Sequence, residues 1–317
     1  MFIPFLSTGI SRSNDRLYRR KGGGKSGGKS GSSSKGSSSS SSKGSSSSGS
    51  SKGSSGTVRS SSISAGGTTK AAKSYSYGSS KVTTIPSGQL FSGRTEGGGT
   101  RPQVYGTQTY GSGYPGVTGR GVANRNFPFY FWPMTWGAAG GAGAAAYLHE
   151  STGEYGAPDN TSRPGGVLMY AGFTSNSTSA ANTTLWVIAD NSTIIDLITD
   201  ISSNCSSSLA SNSSTSATSY NPDAGGALKP EQVVQYYRAS SVALLLSGYN
   251  DTAALQAENT TANVPLPSDI DTTLLNCVND TIGAAVLLVD GAQSQWAVPH
   301  ASLLPAMFLV WLLMHVV

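Results

Sequence analysis

Histidine is scarce, with three in 317 residues, and two of them, His300 and His315, fall near the C-terminus. A His-rich metal centre is thereby excluded, and a Ser-His-Asp relay has only His149 to run through. Cysteine is as scarce: Cys205 and Cys277 are the whole complement, an even count that implies one disulfide in an oxidising compartment. Acids are nearly missing from the first 125 residues, where Asp15 and Glu96 face 18 Lys and Arg. Bases are nearly missing from the rest, where Arg163, Lys229 and Arg238 face 14 acids. The formal charge of +5 thus conceals a part of +16 followed by one of −11. Long apolar runs are also absent, apart from residues 303–317, LLPAMFLVWLLMHVV. That run is interrupted by Pro305 and falls short of the roughly 20 residues of a spanning helix.

What precedes the run gives it meaning. Asp290, Gly291 and Ala292 are small, and a polar spacer from Gln293 to about Ser302 follows them. Small residues, spacer and short apolar tail form the layout of a glycosylphosphatidylinositol attachment signal, with attachment at Asp290 or Gly291 and residues 291–317 removed. The alternative is a tail-anchored membrane protein. Nine asparagines stand in N-x-S/T sequons: Asn160, Asn176, Asn182, Asn191, Asn204, Asn212, Asn250, Asn259 and Asn279. Their use requires the secretory pathway, so the expected location is the outer face of the plasma membrane or the cell wall. Residues 1–20 fit less well: MFIPFL is too short an apolar core for a signal peptide and has no basic residue before it, so the true signal is expected upstream.

The expected fold class is α+β, one small disulfide-linked domain behind a disordered arm. Residues 21–125 form that arm, first Gly/Ser/Lys-rich with lysines at 21, 25, 29, 35, 43 and 52, then Tyr/Gly-rich. Such composition does not recover the entropy of folding. Its charge suits polyanions or wall polysaccharide, without sequence-specific nucleic-acid recognition. Residues 126–154 follow as an aromatic and Gly/Ala segment, in which Trp132 and Trp136 are the candidate ligand-binding aromatics.

The domain is expected over 155–290. Residues 167–173, 185–189, 242–246 and 286–289 have strand character. Asp190 with Ile194, Ile198 and Ile201 predicts a capped helix ending at Cys205, Pro230 a short helix through Tyr237, and Ser268 with Asp271 the cap of a last helix through Ile282. Cys205 and Cys277 lie on the apolar faces of the two longer helices, which points to their pairing.

Catalytic constellations are thin. His149 with Glu150 and Glu154 fits an exposed turn better than a catalytic cluster. The pairs Asp196/Asp200 and Asp269/Asp271 fall on polar helix faces, where solvated carboxylates are the default. Gly141-Ala-Gly143-Ala-Ala-Ala146 matches a phosphate-loop pattern without the βαβ frame that gives it meaning, and Gly49-Ser-Ser51-Lys-Gly53 matches a nucleophile elbow through composition alone. No catalytic residue, metal site or cofactor is expected.

FPFYFWPMTWG (127–137), EYGAPDNTSRPGG (154–166), QYYRASSVALLLSGYND (235–251) and LLNCVNDTIGAAVLLVDGA (274–292) together resemble a group of uncharacterised, Gly/Ser-rich secreted proteins of mushroom-forming fungi. The resemblance implies a fungal surface glycoprotein and carries no activity with it. The expected role is therefore structural or adhesive, with a secreted carbohydrate-active enzyme or a polysaccharide-binding module as alternatives.

Overall fold

The computed structural model describes residues 56–65, 68–116, 120–137, 146–180, 182–256 and 261–290. In chain order these form β1 (Ser60–Ala65), β2 (Thr68–Lys73), β3 (Val82–Thr84), β4 (Thr95–Gly97), α1 (Ala146–Tyr155), β5 (Leu168–Thr174), β6 (Thr184–Asp190), α2 (Asn191–Asn204), β7 (Thr218–Ser219), β8 (Val233–Tyr237), β9 (Val242–Leu246), α3 (Thr272–Ala285) and β10 (Leu288–Val289). Helices and antiparallel sheets are thus mixed, as expected.

The largest sheet has the order β7-β5-β6-β9-β8. Strands β8 and β9 are buried along their whole length, because both faces of the sheet are covered. Successive side chains of a strand point to opposite faces. Tyr237 accordingly donates its hydroxyl to Asn279 of α3 at 2.7 Å, while the neighbouring Tyr236 ring packs on Tyr110 and Trp136. Helices α2 and α3 therefore cover one face and an aromatic layer the other.

Strands β5, β6 and β9 fall where the short apolar, β-rich runs place them. The helix expected from Pro230 through Tyr237 does not form. Pro230 opens only a single 3-10 turn, Pro230–Gln232, and the chain continues as β8. Val233, Val234, Tyr236 and Tyr237 are β-branched or aromatic and have partners to bury against on both sides, which favours extended backbone.

Asp190 caps α2 as expected, accepting from the Thr193 N–H at 3.0 Å. For α3 the cap is Asp271 rather than Ser268: its carboxylate takes the N–H groups of Thr273 and Leu274 and the Ser175 hydroxyl. Three donors outweigh the burial that would raise the Asp271 pKa, and hold it below the usual carboxylate value. Cys205, at the end of α2, is joined to Cys277 of α3 across 72 residues, confirming the pairing read from the helical faces.

The start of the folded part differs most from expectation. Of the arm placed at 21–125, residues 21–55 lie outside the described residues, but most of 56–125 is folded, so the domain begins near residue 56 and not at 155. Strands β1 and β2 form a hairpin, and β10 adds to β2 to complete a three-stranded sheet that buries Ile63 and Ala72. The Tyr/Gly stretch buries Val104, Tyr110, Tyr114 and Val122, while Tyr77, Val82 and Leu90 stay exposed. Its glycines make the tight turns: at Gly111 φ is +93°, and a Cβ would stand 2.1 Å from the Gly121 carbonyl oxygen.

Candidate functional site

The aromatic segment does not offer its rings to solvent. Phe91, Phe127, Trp132 and Tyr155 pack against one another with centroids 4.8–6.3 Å apart, and Trp136 meets Tyr220 and Tyr236 edge-on. Trp132 is 7% exposed and Trp136 1%. Both are core residues, which removes them as a ligand platform. Burying their area against the sheet is worth more than presenting it to water.

The other sequence candidates scatter. His149 is an exposed residue of α1, in a helix and not the turn expected there; Glu150 is exposed beside it. Glu154 is committed to Arg94 and to the Asn124 N–H, so these three make no cluster. Asp196 and Asp200 are not solvated: both are buried and paired with Arg59, which reaches them from the segment leading into β1. Burial raises the Asp196 pKa, opposed by Arg59. Asp269 is exposed. Among the described residues no three His, Cys, Asp or Glu side chains converge as a metal site would need, and no helix is long and apolar enough to cross a membrane.

Of the sequons, Asn176, Asn182, Asn204, Asn212 and Asn250 are exposed and Asn160, Asn191 and Asn279 half-buried; Asn259 lies outside the described residues. Asp290 directly follows β10, with its carboxylate 3.9 Å from the Lys73 ammonium. Gly291, the apolar tail, the lysines of the arm, the Gly49–Gly53 match and most of the Gly141–Ala146 match also lie outside the described residues.

What the sequence did not single out is a cavity of about 460 Å³ between the β3–β4 hairpin and the chain around residues 113–115 and 124–129. Its size is within the range of about 300–1,000 Å³ typical of small-molecule sites. One wall is the run Gly97-Gly98-Gly99. The N–H groups of Gly97 and Gly99 donate to the Phe127 and Pro128 carbonyls at 2.7 Å. A Cβ on Gly99 would meet the Phe129 ring at 2.6 Å, so only glycine permits this approach. The opposite side brings Tyr114 and Arg125 together, the guanidinium carbon 5.3 Å from the ring centroid.

The polar groups of the lining have a definite sense. Asn126 accepts the Thr95 N–H through Oδ1 at 2.9 Å, and Gln103 accepts the Thr100 N–H through Oε1 at 3.0 Å. A backbone N–H only donates, so each contact fixes the amide oxygen inward and leaves the amino end to donate elsewhere. The Tyr114 residue is 7% exposed, and its hydroxyl has no partner among the described residues. Burial pushes its ionisation well above the usual phenol range, so it is neutral. Arg125 donates to the Gly111 and Arg120 carbonyls and forms no ion pair among the described residues. Burial lowers its pKa, an effect that the Tyr114 and Tyr155 phenols partly oppose. The nearby acids are spent: Glu96 on Lys70 and Glu154 on Arg94. Among the described residues no carboxylate lines the cavity.

No protein-family model, curated protein or solved structure matches the chain.

Proposed function

We propose that this is a glycoprotein of the outer cell surface or wall, held there by a glycolipid at Asp290 or Gly291 and serving a structural or adhesive role. The observation that supports this best is the Cys205–Cys277 bridge, which belongs to an oxidising compartment, in a chain whose described sequon asparagines all reach the surface at least in part. In this reading the position of Asp290, one residue beyond a strand of the three-stranded sheet, holds the domain close against the bilayer. The lysine-rich residues 21–55 provide the charge that meets polyanions of the wall. The fungal origin implied by the quoted blocks belongs to the same proposal.

The test is release from intact cells by a phosphatidylinositol-specific phospholipase, followed by mass spectrometry of the C-terminal peptide. A peptide ending at Asp290 or Gly291 and carrying the glycan remnant is the expected result. Mature protein that retains Val317 overturns the anchor.

A further inference from the structure

We propose that the cavity beside Gly97-Gly98-Gly99 is a binding site for an acidic saccharide, a sugar ring that carries a carboxylate. Two features lead to this ligand. The first is the excess of donors: the Asn126 and Gln103 amides have their oxygens bound to backbone N–H groups, so what they offer a ligand is N–H. The second is charge: Arg125 lines the cavity with no counter-ion among the described residues, while neighbouring Glu96 and Glu154 are already neutralised.

An acceptor-rich ligand with one negative charge satisfies both. The remainder of the lining separates a sugar from a bare anion. Pro115 and Pro128 give apolar surface reachable from the cavity, and the cavity is larger than a phosphate needs. Arg125 suits a carboxylate because its planar fork matches two oxygens. The inference refines the adhesive reading by naming what the folded part holds on to.

Isothermal titration of purified full-length glycoprotein with trigalacturonic acid, maltotriose and inorganic phosphate tests it. The acidic trisaccharide should bind at least about tenfold more tightly than the neutral one, as one charge-assisted contact provides, and phosphate should not compete with it. Equal affinity for the two sugars, no binding of either, or preference for phosphate overturns the proposal without any variant. Gln103→Glu and Asn126→Asp each keep the acceptor that the backbone needs while replacing a donor with a negative charge. Each should weaken the acidic sugar about tenfold or more and leave the thermal midpoint in place, and unchanged affinity counts against the site. Binding without phospholipase release, or release without binding, tells failure of the anchor from failure of the cavity.

Discussion

Removing the Asp190 carboxylate should be among the most damaging single changes in the fold. Arg238 is 0% exposed and sits at the β8–β9 turn. Its guanidinium meets Asp190 at 2.5 Å, the Ser241 and Thr193 hydroxyls at 2.7 and 2.9 Å and the Leu287 carbonyl at 2.8 Å, and lies 3.4 Å from the centroid of the Phe131 ring. The same network spans the aromatic layer, β6, α2 and the segment before β10. It also braces a turn in which Arg238, Ala239 and Ser240 all have positive φ, at 49°, 49° and 60°. Asp190→Ala strands a buried cation, which costs about 3–5 kcal/mol, and removes the α2 cap, worth about 1 kcal/mol. Asp190→Asn leaves an amide oxygen for the Thr193 N–H, so it should cost about 1 kcal/mol less. Pairing Arg238→Met with Asp190→Asn should cost less than the sum of the two, since neither charge is then left alone. Urea unfolding followed by tryptophan fluorescence gives all three values. If Asp190→Ala costs below about 1 kcal/mol, the pair does not organise the fold as argued.

Four further outcomes are expected. Replacing Cys205 and Cys277 together with alanine should lower the unfolding free energy by about 4 kcal/mol, the chain-entropy value for the loop they close, and a change below about 1 kcal/mol in urea melts counts against it. A chain begun at residue 56 should melt with the full-length protein, whereas one begun at residue 75 loses Ile63, worth about 1.5–3 kcal/mol, and Arg59; calorimetry distinguishes them, and equal melting of both chains refutes a folded β1–β2 hairpin. Burial raises the pKa of Tyr110, Tyr114, Tyr155, Tyr220 and Tyr236, so their neutral forms stabilise the fold fully below the ordinary phenol value of 10, and that stabilisation is lost as pH rises through their folded values. Absorbance titration near 295 nm should show these phenols ionising only as the protein unfolds, and early, reversible ionisation of all of them refutes it. Glycopeptide mapping should find the exposed Asn182, Asn212 and Asn250 occupied and Asn279 bare, because the Asn279 side chain accepts the Tyr237 hydroxyl and donates to Asp280.

Elements whose periodicity matches their environment were legible. β5, β6 and β9 are short apolar runs, α2 and α3 repeat with the spacing of the face they bury, and the disulfide followed from two helical faces. β8 was not, because proline at its entrance has the same form whether it opens one turn or a whole helix, and only the covered second face of the sheet decides. Trp132 and Trp136 were misread for a related reason: an aromatic cluster between glycine-rich stretches looks unsupported until Tyr110, Tyr220 and Tyr236 arrive from distant parts of the chain to meet it. The cavity left only a faint trace, three successive glycines and the triplet Asn124-Arg125-Asn126, neither of which has a spacing that announces a ligand.

The charge division is where linear reading misled most, and where the structure explains most. Counted along the chain, +16 followed by −11 resembles a solvated cationic arm before an acidic domain. In the fold, Arg59 meets Asp196 and Asp200, Lys73 approaches Asp290, and Arg94 meets Glu154, so part of that asymmetry records one half of the chain being built against the other. Once the ion pairs are set aside, the described cations without a carboxylate are Lys81, Arg101, Arg120, Arg125, Arg163 and Lys229. Of these Arg125 lines the cavity, where burial lowers its pKa and no acid of the described lining answers it. An uncompensated, half-buried guanidinium is stabilised by a bound anion more than by any rearrangement of the chain visible around it, which ties the charge pattern of the sequence to the ligand proposed for the site.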